Sequence, residues 1–228
     1  MSKPKQCDHK FILKFGPITE GYDVTSTVVV PIERRFVDLH SPFSDMQGYS
    51  KEIFSTLKID EFPSELKDDL RLPLIAKYYE YNLQQSNHMR VIHLVDPILL
   101  ERGNNASHRR MLKEAYTNIF SEFLRNSGRG EILRMVSLGL EDNPIVVGKE
   151  SKGRFAINIL KKLRSAYEGE MKEKINFTVS CLFEGLTTAE RKMKKRCSHI
   201  ELYTLDPLFF YGLEKKLKDD GIPLISEV

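Results

Sequence analysis

From residue 91 onward the sequence alternates between strand-like and helix-like patterning, and this alternation limits the fold more than any other feature. Val91, Ile92, His93, Leu94 and Val95 form a short apolar run closed by Asp96-Pro97. Residues 107–125 then set Met111, Leu112, Ala115, Ile119, Phe120 and Phe123 at the 3.6-residue spacing of an amphipathic helix, which Ser127-Gly128-Arg129-Gly130 stops. Residues 131–138 supply another strand and 139–148 a loop, and Phe155, Ala156, Ile159, Leu160, Leu163 and Tyr167 mark one face of a second helix. After Gly169, residues 175–183 alternate apolar and polar as a strand does, and 186–193 begin a further helix. Successive strand–helix units need crossover connections. The expected class is α/β: a three-layer α/β/α arrangement around a mixed, largely parallel sheet.

The first half carries similar signals at shorter range. Residues 11–15 alternate apolar and charged side chains before Gly16-Pro17, and the β-branched run 25–30 ends at Pro31; both read as strands. Ile53, Phe54 and Leu57, then Phe62 and Leu66, recur at helical spacing, and Pro63 divides them into two short helices. Residues 72–81 are rich in aromatics and fit either an extended or a helical insert. Near the end, an apolar stretch over 202–211 precedes a charged helix over 213–220. No repeat or composition break interrupts the pattern. A flexible N-terminus over 1–9 and one domain over 10–228, its C-terminal extension packed on the same core, are therefore expected.

A chain of 228 residues, 41% hydrophobic and 29% charged, is long enough for one sizeable core. No stretch approaches the roughly 20 apolar residues of a membrane-spanning helix. The basic N-terminus is followed by the short run FILKF, not by the apolar centre of a secretory signal. These features point to the cytoplasm or nucleus and away from a membrane partner. Cys7, Cys181 and Cys197 are odd in number and widely spaced, so free thiols are expected, with no metal and no cofactor. Thirty-five Lys and Arg against 32 Asp and Glu give a charge of +3, too mild to indicate nucleic acid unless the cations gather locally.

More specific wording lies at the ends of the strands. Phe15 leads into Gly16-Pro17-Ile18-Thr19, and Val28-Val29-Val30 leads into Pro31-Ile32-Glu33-Arg34. Met46-Gln47-Gly48 precedes the first helical spacing, Val91-Ile92-His93 is followed by Asp96-Pro97, and Ala115-Tyr116 lies in the next helix. Ser137-Leu138-Gly139-Leu140 is followed by Pro144. In this order and spacing, over most of residues 10–195, the phrases resemble those of macro domains, the family that binds ADP-ribose. In that family an early strand leads into Gly-Asp-Ile-Thr and a second into an asparagine-bearing loop and a glycine run. A third strand often reads Val-Ile-His, and a later one enters a Ser-Thr-Gly phosphate loop. The resemblance implies a macro-domain-like fold and a nucleotide cleft, with Gly48, Ser137, Leu138, Gly139 and Leu140 as ligand-binding residues.

The departures from the family bear on the ligand. The family's aspartate accepts a hydrogen bond from the adenine amino group, which Pro17 cannot do. Pro31 removes a backbone donor from the loop that holds the distal ribose and pyrophosphate, and Glu33 adds a carboxylate there, offset by Arg34 and Arg35. Glu141-Asp142-Asn143 stands in place of the aromatic residue that stacks on the ribose. Gly139 and Ser137 still offer close backbone approach and a hydroxyl donor to a phosphate. The expectation is a divergent, non-catalytic binding module for an ADP-ribose-like nucleotide, RNA or a protein partner. Two readings stand beside it: an active ADP-ribose binder or ADP-ribosyl hydrolase, and an interaction subunit whose cleft is filled. No catalytic residue is assigned.

Outside the cleft, Arg191, Lys192, Lys194, Lys195 and Arg196 form the one dense charge run. With Arg34 and Arg35 they are candidates for a basic surface near the cleft that takes phosphates, the alternative being a solvated helix end. Tyr78, Tyr79 and Tyr81 offer stacking faces to single-stranded nucleic acid, or cap the core with their hydroxyls in water. His93, inside an apolar strand, is read as a core histidine held by a hydrogen bond. Asp38, His40, Ser41 and Ser44 include the residue types of a catalytic triad, but closeness in sequence does not supply triad geometry.

Overall fold

A computed structural model of the chain describes residues 9–23, 25–33, 36–37, 46, 48–57, 62–82, 88–95, 105–128, 130–138 and 169–227. Among these, seven strands form one sheet: β1 (Lys10–Phe15), β2 (Ser26–Ile32), β3 (Ala76–Asn82), β4 (His88–Val95), β5 (Ile132–Val136), β6 (His199–Thr204) and β7 (Leu224–Glu227). Their spatial order is β3-β4-β2-β5-β6-β1-β7. Every neighbouring pair is parallel except β3 with β4.

Side chains alternate across a strand, so the sheet has two cores. Phe11, Leu13, Val29, Ile92, Leu94, Leu133, Met135, Ile200 and Leu202 share one core with helices α3 (Asn105–Asn126), α4 (Glu170–Met193) and α5 (Pro207–Asp219). Val28, Val30, Ile32, Met89, Val91 and Val95 face the other way, toward α1 (Gly48–Leu57) and α2 (Ser64–Asp69). Each such side chain, fully buried, contributes roughly 1.5–3 kcal/mol. The three-layer α/β/α expectation holds. Being consecutive crossovers, α3 and α4 run parallel, and they approach closely at Gly185. A Cβ there would stand 2.5 Å from the Cβ of Tyr116 and 3.0 Å from the backbone nitrogen of Thr117.

Several expectations need correction. Residues 175–183 are not a strand but the middle of α4. Ile175, Thr178, Val179, Leu182, Leu186 and Ala189 are buried at spacings of three and four, while Phe177 and Phe183 are only half-buried. The apparent period of two arises because one interior position, Thr178, is polar; the helical period continues to residue 193. β2 does not stop at Pro31 but runs through Ile32 beside β4. Its pairs with β5 end at Val28, so the proline falls where β2 has already lost one neighbour and a missing N–H is tolerated.

Residues 72–81, ambiguous in sequence, contain most of β3, the antiparallel edge strand. The apolar stretch 202–211 is divided by Asp206-Pro207. Asp206 caps α5 by accepting hydrogen bonds from the backbone N–H groups of Leu208 (2.7 Å) and Phe209 (3.3 Å), so that helix starts at Pro207, not at 213. The loop expected over 139–148 and the helix expected around Phe155 and Ile159 lie outside the described residues. Among the described residues, no helix is long and apolar enough to cross a membrane.

Candidate functional site

β2 and β5 are neighbours at the middle of the sheet, and the chain leaves them in opposite directions. From β2 it continues to α1, α2, β3 and β4 on one side; from β5 it continues to α4 and β6 on the other. In open α/β sheets such a switch point leaves a crevice outside the carboxyl ends of the two strands, the usual seat of a ligand. Here the strands part early. β2 pairs with β5 only over 26–28, whereas it stays on β4 to Ile32, and β5 stays on β6 to Val136.

The helix that follows β2 starts at this edge. α1 opens at Gly48, whose φ of +59° lies in the left-handed region that favours glycine. Its first turn presents backbone N–H groups and the positive end of the helix dipole, which suits an anion. The start of α1 is pinned on two sides. Ser50 donates its hydroxyl to the carbonyl of Pro31 at 2.6 Å, and Tyr49 donates to the carbonyl of Gly16 at 3.3 Å. One turn on, the Glu52 carboxylate accepts from the Thr19 backbone N–H at 2.8 Å and also from the Thr19 hydroxyl. Gly16, Pro17, Ile18 and Thr19, which leave β1, are thus tied to the helix that borders the crevice.

Ser137 and Leu138 leave β5 on the opposite side, and a closed ring of hydrogen bonds holds them. The Leu138 N–H donates to the Tyr116 hydroxyl at 2.9 Å, the Tyr116 and Thr178 hydroxyls are 3.0 Å apart, and Thr178 donates to the Leu138 carbonyl at 2.6 Å. Three elements, the exit of β5, α3 and α4, therefore meet at one residue, and the ring satisfies every polar group in it. The Leu138 amide is committed to this ring, so what Leu138 contributes is a fixed path for the backbone. Ser137, itself buried, is the side chain carried on that path. Gly139, Leu140, Arg34, Arg35, Asp38, His40, Ser41 and Ser44 lie outside the described residues.

Behind the crevice a buried ion pair secures the connection from β1 to β2. Arg134 on β5 donates to the carbonyls of Glu20 (2.8 Å) and Gly21 (2.7 Å). Its Nε is 3.1 Å from Glu201 Oε2, at an angle that makes the contact an ion pair and not a hydrogen bond. Glu201 also faces Lys14 Nζ at 3.3 Å and accepts from the Tyr203 hydroxyl at 2.8 Å. Burial first, and then this bond, push the Tyr203 hydroxyl pKa far above its ordinary value. A charged residue inside the strand Ile-Leu-Arg-Met-Val was the available sequence signal for Arg134. The matching signal for Thr178 is masked by an apolar–polar alternation that resembles a strand.

His93 is a core residue, as expected. Its Nε2 is 2.8 Å from the Tyr81 hydroxyl, and its ring stacks on Phe54 of α1 and meets Phe62 edge-on. The three tyrosines of β3 do not form one platform. Tyr81 is buried, while the hydroxyls of Tyr79 and Tyr78 donate to Glu65 and Glu80. The basic run 191–196 is not beside the crevice. It precedes β6, whose His199 and Ile200 pair with Lys10 and Leu133 at the starts of β1 and β5. The length of a strand, roughly 15–20 Å, separates it from Ser137. Among the described residues no three His, Cys, Asp or Glu side chains converge as a metal would require.

No model of a known protein family matches the sequence, and no curated protein does. Solved structures do match. A variant of the Oceanobacillus iheyensis macrodomain with ADPR aligns with 91% of this chain and 91% of its own at a TM-score of 0.53 and 13% identity. The Trypanosoma brucei macrodomain in complex with ADP aligns with 92% of this chain and 69% of its own, at a TM-score of 0.50 and 15% identity. The chain has the macrodomain fold. An alphavirus P23pro-zbd structure contains a similar unit, covering 96% of this chain and 25% of that one at a TM-score of 0.53 and 13% identity. At these identities the likeness is one of macrodomain fold, and the crevice is where the residues of this chain must speak for themselves.

Proposed function

We propose that this chain is a non-catalytic binding module that takes a nucleotide-like, phosphate-bearing ligand in the crevice between β2 and β5. The observation that carries the reading is the early parting of those strands with the start of α1 at the same end of the sheet, which sets backbone donors and a positive dipole beside the carboxyl end of β2. Gly48 and the first turn of α1 are assigned to a phosphate group, Ser137 to a second polar contact, and Gly139 and Leu140, which follow it in sequence, to the same ligand. Pro17 cannot select adenine as an aspartate would, so recognition rests on the phosphates and not on the base. Glu52, one turn into α1, is already engaged by Thr19, which argues against its use as a general base. The residues 10–228 act as one unit in this reading.

The macrodomains of similar fold include ones solved with ADPR or ADP, which favours a diphosphate nucleotide as the first probe. Titration calorimetry with ADP-ribose, ADP and adenosine tests the assignment. Binding of both diphosphates without adenosine is the expected result. Binding of adenosine as tight as that of ADP, or no heat from any of the three, would overturn it; the latter would favour a filled cleft. Release of ADP-ribose from an ADP-ribosylated peptide would overturn the non-catalytic part.

A further inference from the structure

At the end of the strands opposite the crevice, Thr187, Glu190, Arg191, Lys194, Lys195 and Arg196 line a groove of about 440 Å³. Four of these six side chains are cationic. Cations at a helix C-terminus have an ordinary explanation, since they complement the negative end of the dipole. That explanation covers Arg191 and Lys192, which lie in the last turn of α4, but not the three cations that follow it. Lys195 has a separate structural task. It reaches across to α3 and donates to the carbonyl of Leu124 at 2.8 Å, so it holds the run against the fold.

Lys194 occupies the left-handed region at φ 54°, where a side chain other than glycine costs roughly 1–2 kcal/mol. Turning the chain at that point would be easier with glycine, and the residue present keeps a cation on the groove. The one acid among the described lining residues is directed elsewhere: Glu190 accepts from the backbone N–H of Cys197 at 2.9 Å, and its other oxygen is 3.6 Å from His9 Nε2. Arg191, Lys194 and Arg196 are all exposed. A concave strip with two guanidinium groups and an ammonium suits the oxygens of successive phosphate groups, which guanidinium can bind in bidentate fashion.

We propose that this groove is a second binding site, distinct from the crevice, that holds the phosphodiester backbone of a single-stranded nucleic acid without reading its bases. The concavity disfavours a flat lipid surface. The large exposed apolar side chains among the described residues, Leu72 and Ile225, are not in the groove and supply no anchor for a membrane or an apolar peptide. Among the described residues no aromatic side chain is in the lining, so they offer bases no stacking platform and binding is tolerant of sequence.

The experiment is fluorescence anisotropy of a labelled oligouridine of about twelve nucleotides with the full chain, over a range of salt. Three phosphate contacts on a single strand give a salt slope near −2, so affinity falls about 20-fold between roughly 50 and 200 mM salt. The combined variant Arg191→Gln, Lys194→Gln and Arg196→Gln, with Lys195 retained to preserve its bond to α3, is expected to lose most of that slope and at least tenfold in affinity at the lower salt. An unchanged melting temperature shows that the variant is folded. Unaltered RNA binding in the folded variant, equal binding of polyglutamate or of anionic vesicles, or displacement of the RNA by ADP at concentrations that fill the crevice would each overturn the proposal. Loss of RNA binding with ADP titrations unchanged supports it and leaves the crevice reading to stand or fall on its own.

Discussion

The buried histidine under α1 makes acid stability an informative test of the packing around the crevice. In the unfolded chain His93 protonates near its ordinary pKa of 6.5, but burial among Phe54, Phe62 and Tyr81 pushes it down to about 3 in the fold. Between those values the unfolded state holds a proton that the folded state does not. The stability associated with the neutral ring is therefore fully present above pH 6.5 and is lost as pH falls toward 3. At about 1.4 kcal/mol per pH unit, the loss amounts to about 2.7 kcal/mol by pH 4.5, a sizeable part of a typical total of about 5–15 kcal/mol. Urea unfolding of the native chain and of His93→Gln, which keeps a polar partner for Tyr81, at intervals from pH 7.5 to 4.5 isolates this contribution, because all other titrating groups are common to both. The native protein is expected to lose about 2–3 kcal/mol more than the variant across that range. Parallel pH dependences in the two proteins would refute the reasoning.

Other expectations follow from the same contacts. Gly185→Ala drives a methyl into Tyr116 and the backbone of α3 and is expected to destabilise by about 1–3 kcal/mol in chemical unfolding. Tyr116→Phe opens the hydrogen-bond ring at Leu138; a loss of about 1–3 kcal/mol in stability is expected, with weaker ADP binding in calorimetry because the path through Ser137 is no longer fixed. Arg134→Met leaves the buried Glu201 with Lys14 and His199 as its remaining basic neighbours among the described residues, and is expected to cost about 3 kcal/mol in unfolding free energy. Burial pushes the Cys181 thiol up to about 11 and that of Cys197 higher still. Mass spectrometry after iodoacetamide treatment at pH 8 is expected to find both unmodified in the native protein and modified in urea.

The fold was legible where burial follows one period for the length of an element. Residues 107–125 and 91–95 needed no tertiary information, because α3 and β4 keep their apolar positions in step with their geometry. Residues 175–183 misled because Thr178 is interior for a reason outside its own segment: it closes a ring with Tyr116 and Leu138, which are distant in sequence. Pro31 likewise looked like a strand end, yet whether a missing N–H matters depends on β5 having already departed. For the site, the wording around Gly48 and Ser137 drew attention to strand exits that the topology brings to a switch point. What the wording did not contain was the support beneath them, Tyr116 and Thr178 under Leu138 and Arg134 behind the β1–β2 connection. Nor did it indicate that residues 191–196 lie at the other end of the strands, which follows from β6 starting beside the starts of β1 and β5.

The central claim is that a phosphate-bearing ligand enters at the switch point, and a two-dimensional amide NMR titration of the full chain with ADP tests it most directly. Saturable shifts confined to residues 16, 18–19, 48–50 and 137–140, with residues 190–196 unmoved, are the expected result. Saturable shifts at 190–196 with Gly48 and Ser137 still would place the ligand elsewhere and contradict the account.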